Sequence, residues 1–166
     1  MRQSPLLLDS IFYPVSRVSA NPAAPNGEMG EVEIAANILF AETRKFYVNI
    51  NVEWGKPESS PYSIHCNAHA ICRIAKEIQT TRAELERMAF NGAAILLSAA
   101  REHIAQITAR APYGEVFLPA IILESTDFKL AFEDSVADTL STKAPEPESR
   151  NTTPATRSPT RSPKKK

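Results

Sequence analysis

The side chains that could do chemistry are concentrated in His65-Cys66-Asn67-Ala68-His69 and in the adjacent pair Glu102–His103. The first run lies in a stretch that alternates apolar and polar residues and therefore reads as a strand. On a strand His65 and His69 stand about 13 Å apart, and Cys66 points to the opposite face. Coordinating one metal at about 2.1 Å from both imidazoles would demand a sharp bend. The run is thus expected to be the polar outer face of a sheet, and no metal site is expected. Glu102 and His103 leave a helix in different directions and form no acid–base dyad; His103 reads as a packed or interface histidine. There is no glycine-rich phosphate loop, nucleophile elbow or paired-cysteine knuckle, so neither enzymatic activity nor a cofactor is expected. A small metal-dependent enzyme using His65, His69 and His103 remains the rival reading from that class.

The elements that must position any site are legible as periodicities. Leu6–Val18 reads as a first strand, with Pro14 demanding an edge position or a bulge. Val32, Ile34, Ala36, Ile38 and Phe40 alternate with polar or small residues, as do Phe46, Val48, Ile50, Val52 and Trp54. Period two over ten residues, twice, predicts antiparallel strands with one dry face, joined as a hairpin through Ala41–Arg44. Tyr62–Ala75 alternates in the same way, giving a four-stranded meander. Thr81-Arg-Ala-Glu84 is a capping box that opens a helix. That helix is expected to break at Asn91–Gly92, because glycine costs about 1 kcal/mol in a helix interior. Asn91–Ala111 then forms the long helix around which the chain is organised, stopped by Pro112 and with Arg110 in its last turn. Tyr113–Leu123, carrying Pro119, is an extended crossover. Ser125–Leu140 is the last helix, with Phe128, Phe132, Val136 and Leu140 at i, i+4 spacing. The fold class is α+β: a four-stranded antiparallel sheet packed against the long helix and a C-terminal helix.

Composition bounds the rest. With 166 residues, 43% hydrophobic and 23% charged, the chain is one globular domain in size and content. Its zero net charge hides a segregation. Residues 143–166 carry 7 Lys/Arg against 2 Asp/Glu, and residues 1–142 carry 12 against 17. From Ser141 onward there are five prolines and no aromatic residue, so residues 1–140 are the domain and 141–166 a disordered basic tail. The tail leaves open a non-catalytic adaptor that docks an anionic surface, although nucleic acid is not the expected partner. Cys66 and Cys72 would lie roughly 20 Å apart on one strand, beyond bridging distance, and reduced thiols with no membrane span point to a cytoplasmic protein. A sheet with open edges and a groove lined by aromatic and branched side chains is suited to binding extended polypeptide.

Ala100-Arg101-Glu102, then Tyr113-Gly114, then Leu118-Pro119 followed by Ile121 and Ile122, resemble in order and spacing the motifs of SecB-type preprotein chaperones. The layout of strands, helices and tail over residues 6–140 is similar to that family. Ser98-Ala99 stands where the family usually has Pro-Tyr, and Ile122-Leu123 where its crossover continues into Asn-Phe, which implies a divergent, SecB-like chaperone. The resemblance implies an ATP-independent holdase for unfolded or precursor polypeptides, serving protein export with the SecA motor as partner, or else protecting an antitoxin. It implies a homotetramer, a dimer of dimers in which the long helix packs on its counterpart through Ala93, Ala94, Ala99, Ala100 and His103. The client groove is assigned to Phe46, Tyr47, Trp54, Tyr113, Phe117, Leu118 and Ile121. Glu31, Glu33 and Glu53 could give the outward sheet face the acidity that docks the motor, diluted by Lys45, His65 and His69.

Overall fold

The computed structural model describes residues 4–77, 81–121, 123–134 and 136–137. They form a five-stranded mixed sheet with one long helix across one face. The strands are β1 (Leu6–Ala20), β2 (Val32–Glu42), β3 (Lys45–Trp54), β4 (Tyr62–Ile74) and β5 (Phe128–Phe132), in the spatial order β1-β4-β3-β2-β5. The helix α1 spans Arg82–Thr108. β2, β3 and β4 form an antiparallel meander, while β1 crosses over to pair with β4. The four-stranded meander expected from the sequence is therefore a three-stranded one with β1 added on its far side. Pro14 falls in a register shift of β1 between Phe12 and Val15, on an edge strand, where its missing N–H costs no ladder bond.

The alternation read in the sequence sets the inside. Ile38, Phe40, Phe46, Val48, Ile50, Val52, Ile64, Cys66, Ala68 and Cys72 face α1 and are buried. The helix answers with Leu85, Met88, Ala89, Gly92, Ala93, Leu96, Leu97, Ala100 and Ile104 at helical spacing. Thr81 caps the helix by accepting the Glu84 N–H at 3.3 Å. Burial pushes the thiols of Cys66 and Cys72 up to about 11, so both are inert thiols in the sheet core.

Three expectations are corrected. First, α1 runs through Asn91–Gly92 without a break. Gly92 is buried, and a Cβ there would lie 3.0 Å from the Phe46 ring. The glycine admits that ring to the helix backbone, and the packing offsets its poor helix propensity. Second, α1 ends at Thr108, with Ala109 as its C-cap, so Arg110 lies beyond the last turn. Third, the C-terminal helix is not present where it was placed. Ser125–Asp127 is a single 3₁₀ turn, and Phe128–Phe132 is β5, parallel to β2. Helical backbone begins only at Asp134, where the Val136 and Ala137 amides donate to the Glu133 carbonyl. The sheet consequently has five strands rather than four. Leu140 and the tail expected over 141–166 lie outside the described residues. Among the described residues no helix is long and apolar enough to cross a membrane.

Edge strand β1 is latched to α1 by His103. Its Nε2 is 2.8 Å from the Ser16 hydroxyl, and its ring stacks on Tyr13 with centroids 3.9 Å apart and planes 8° apart. Partial burial lowers the His103 pKa below its ordinary 6.5 and raises that of Tyr13. The unfolded chain therefore binds this proton first as pH falls. Stability should be independent of His103 above about pH 6.5 and decline below it, towards the lowered folded value. Urea unfolding across pH 7.5–5 should show that decline, and His103→Gln should reduce its slope. Gly92→Val should cost about 1–3 kcal/mol through overpacking against Phe46. Asn91→Ala, one residue earlier on an exposed position, should be neutral or slightly stabilising in the same assay.

Candidate functional site

Two buried hydroxyls fix the chain as it leaves α1. Thr108 donates from Oγ1 to the Ile104 carbonyl at 2.8 Å and accepts the Val116 N–H at 3.0 Å. The Tyr62 hydroxyl accepts the Tyr113 N–H at 2.7 Å and donates to the Gly114 carbonyl at 3.1 Å. Gly114 has φ 83°, a conformation that favours glycine. Leu118 then plugs into the core, 1% exposed. The crossover is therefore held down at 113–118 and passes on toward the β2 side of the sheet.

This path leaves a groove on each side. One is about 340 Å³, bounded by Val32, Ile34 and Ala36 of β2, by Ile121 and Leu123 of the crossover, and by Asp127. β5 pairs with β2 only from Ala36 to Phe40. Among the described residues, no strand pairs with that edge of β2 over Val32–Ala35. An apolar trough thus lies beside a strand edge that no described strand pairs with, the two features that an extended polypeptide can use. The second groove, about 490 Å³, runs between Ser98, Arg101, Glu102, Ala105 and Gln106 of α1 and Glu115, Phe117 and Leu118 of the crossover. It has charged walls, and Phe117, 69% exposed, is the aromatic on its rim.

The seven residues assigned to the client groove are not brought together. Phe46 is wholly buried against Gly92 and 4.9 Å from the Phe40 ring. Trp54 is buried, its indole N–H donating to the Gly30 carbonyl at 3.1 Å. Tyr47 lies on the opposite, outer face of the sheet beneath the Lys45 ammonium, 5.5 Å from its ring centroid. Tyr113 is half-buried, its ring 5.6 Å from that of Tyr62. Leu118 and Phe117 border the second groove, and Ile121 borders the first. Val32, Ile34 and Leu123 also line the first groove, although the sequence reading assigned none of them to it. The parity of Val32 and Ile34 was visible, but not the half-covered edge of β2. Of the helix residues assigned to an oligomer contact, Ala93 and Ala100 are buried against the sheet inside this chain. Ala94 and Ala99 are half-exposed, and His103 is engaged with β1.

The outer face carries the histidines as alternation required. His65 bonds the Glu53 carboxylate through Nδ1. His69 Nε2 is 2.6 Å from the Asn49 carboxamide nitrogen, which also donates to Asn67 Oδ1 at 2.7 Å. Each histidine thus has its own partner. Among the described residues no group of three or more His, Cys, Asp or Glu could hold a metal ion.

No family model matches the sequence, and no curated protein matches it. Solved structures do. The Rv1957 SecB-like chaperone of Mycobacterium tuberculosis, in complex with a ChAD peptide from the Rv1956 HigA1 antitoxin, is similar with a TM-score of 0.55 and 16% identity. The match covers 72% of this chain and 93% of that one. The fold is SecB-like. A protein of unknown function from Streptococcus agalactiae is also similar, with a TM-score of 0.46, 13% identity, and coverage of 69% and 97%. The SecB-like fold is reached here with a short parallel strand, β5, in the region assigned from the sequence to a C-terminal helix.

The crossover anchor is directly testable. Tyr62→Phe removes one donor and one acceptor and strands the Tyr113 N–H in a half-buried position, which should cost about 1–3 kcal/mol. Hydrogen exchange should speed up at the Tyr113 amide in this variant and at the Val116 amide in Thr108→Val. The β3 amides should speed up by no more than the loss of global stability accounts for.

Proposed function

We propose that this protein is a non-catalytic, ATP-independent chaperone that holds unfolded polypeptide in an extended form. The observation that carries this reading is the trough of Val32, Ile34, Ile121 and Leu123 beside the stretch of the β2 edge that no described strand pairs with. Apolar contact, at about 25 cal/mol per Å² of buried surface before ordering costs, and backbone pairing are both indifferent to particular sequences. The site therefore suits many clients or any exposed stretch of one client. Phe117 and its groove extend the contact along the other side of the crossover.

Dedication to an antitoxin is favoured over delivery to an export motor by two observations. The similar chaperone of known structure carries an antitoxin peptide. Two carboxylates of the outer sheet face, which would have to be acidic for motor docking, are engaged within the sheet: Glu53 by His65, and Asp9 by Arg73 at 2.6 Å, a contact that holds the Asp9 carboxyl below its ordinary pKa. We assign the half-exposed Ala94 and Ala99 and the exposed Ile95 to helix contacts in a cytoplasmic homotetramer.

Aggregation of a chemically unfolded model protein should be suppressed by this chain without nucleotide. Ile121→Asp and Leu123→Asp should each weaken that effect about tenfold, with helical circular dichroism unchanged, and Phe117→Asp should weaken it less. Full activity in both crossover variants would take the groove out of the mechanism. No suppression by the wild type at several-fold excess would remove the general holdase.

A further inference from the structure

β5 lies on β2 as a client would. Its sequence, Phe128-Lys129-Leu130-Ala131-Phe132, puts an apolar residue at every second position. In register, Phe128 stands beside Ala36, Leu130 beside Ile38 and Phe132 beside Phe40. The Phe132 and Phe40 rings stack with centroids 5.0 Å apart. The apolar row of β2 is continuous, however: Val32 and Ile34 belong to the same face and lie open in the trough. One half of a single apolar row with its backbone edge is occupied by a segment of this chain, and among the described residues no strand occupies the other half.

The occupant is also the least secured strand of the sheet. It is five residues long and last in the strand order. Its one ladder is parallel, the weaker arrangement per residue, and Lys129 and Ala131 are exposed. Short elements with one neighbour open locally at a small fraction of the global unfolding free energy.

We propose that Phe128–Phe132 is a resting occupant of the polypeptide site: a strap that an extended client displaces. Displacement lengthens the usable edge from Val32–Ala35 to Val32–Phe40. The strap also defines the class of segment taken up, an extended stretch with large apolar residues at i, i+2 and i+4. Segments too short or too polar to outcompete Phe128, Leu130 and Phe132 are left with the other half alone. This rests on the reading above that the protein holds unfolded polypeptide, and it adds how the site is regulated and which segments it selects.

The test is to fasten the strap. Leu39 and Ala131 are register partners with exposed side chains, so Leu39→Cys with Ala131→Cys should cross-link β5 to β2 without entering the core. The buried native thiols, pushed up to about 11, do not compete at neutral pH. The probe is fluorescent α-lactalbumin, reduced and alkylated so that it stays unfolded and thiol-free, with affinity read by anisotropy. The oxidised variant should bind at least tenfold more weakly than the same protein reduced. Leu130→Asp, which disfavours the strap over Ile38, should bind several-fold more tightly than wild type. Equal binding by oxidised and reduced forms would overturn the strap and leave the holdase standing. Binding by Leu130→Asp alone would support both, with the strap closed at rest. No binding by any of the forms would overturn both.

Discussion

The hydroxyl of Tyr62 is the constraint on which the site depends. It is buried at the end of β4 and satisfies two backbone groups of the chain leaving α1. Partly buried amides and carbonyls need partners, and the turn at Tyr113–Gly114 finds both in this hydroxyl. Thr108 does the same for Val116 from the last turn of the helix. Together they hold the start of the crossover against the core, and Leu118 completes the attachment. Ile121 and Leu123 are then presented opposite β2 because everything before them is fixed.

Much of the fold was legible because the strands declare their parity. Val32–Phe40 and Phe46–Trp54 each put five alternate residues inward, and the structure pairs them with Val32 opposite Trp54 and Phe40 opposite Phe46. Thr81 was legible as a cap for the same reason: its hydroxyl is the acceptor an orphan amide needs. Phe128–Phe132 was not legible as a strand. A separation of four residues satisfies the helical repeat and also two steps of the strand repeat, and Leu130 between the two phenylalanines tips the pattern toward the strand. Only the free edge of β2, a tertiary fact, decides between them. Gly92 failed for a related reason: its cost is local and written in the sequence, whereas its compensation is a ring from β3.

Of the residues that line the trough, the sequence reading named one, Ile121. Aromatic residues attract a binding assignment because they carry large apolar area, but the same area makes them core residues. Phe46 and Trp54 went inward with the parity of β3, whereas Tyr47, of the opposite parity, went to the outer face. Strand parity thus already separated Tyr47 from Phe46 and Trp54. What could not be read was which strand would have a half-covered edge, because that depends on where β5 begins.

The two edges of the sheet are treated differently, and the difference bears on use. β1 is fifteen residues long and exposes Leu7, Leu8, Phe12 and Val15, an obvious template for unwanted pairing. Register shifts interrupt it at Leu8/Ser10 and Phe12/Val15, with Pro14 inside the second. Bulges of this kind twist an edge and break the run of free amides that another strand would need. β2 has a single register shift against β3, at its far end between Phe40 and Glu42, and no proline along its length. Its edge is instead covered by five residues of the chain itself from Ala36 onward, and among the described residues no strand covers it before that. A bulge closes an edge permanently. A short parallel strand covers one reversibly, and that is the arrangement expected where the edge must stay usable.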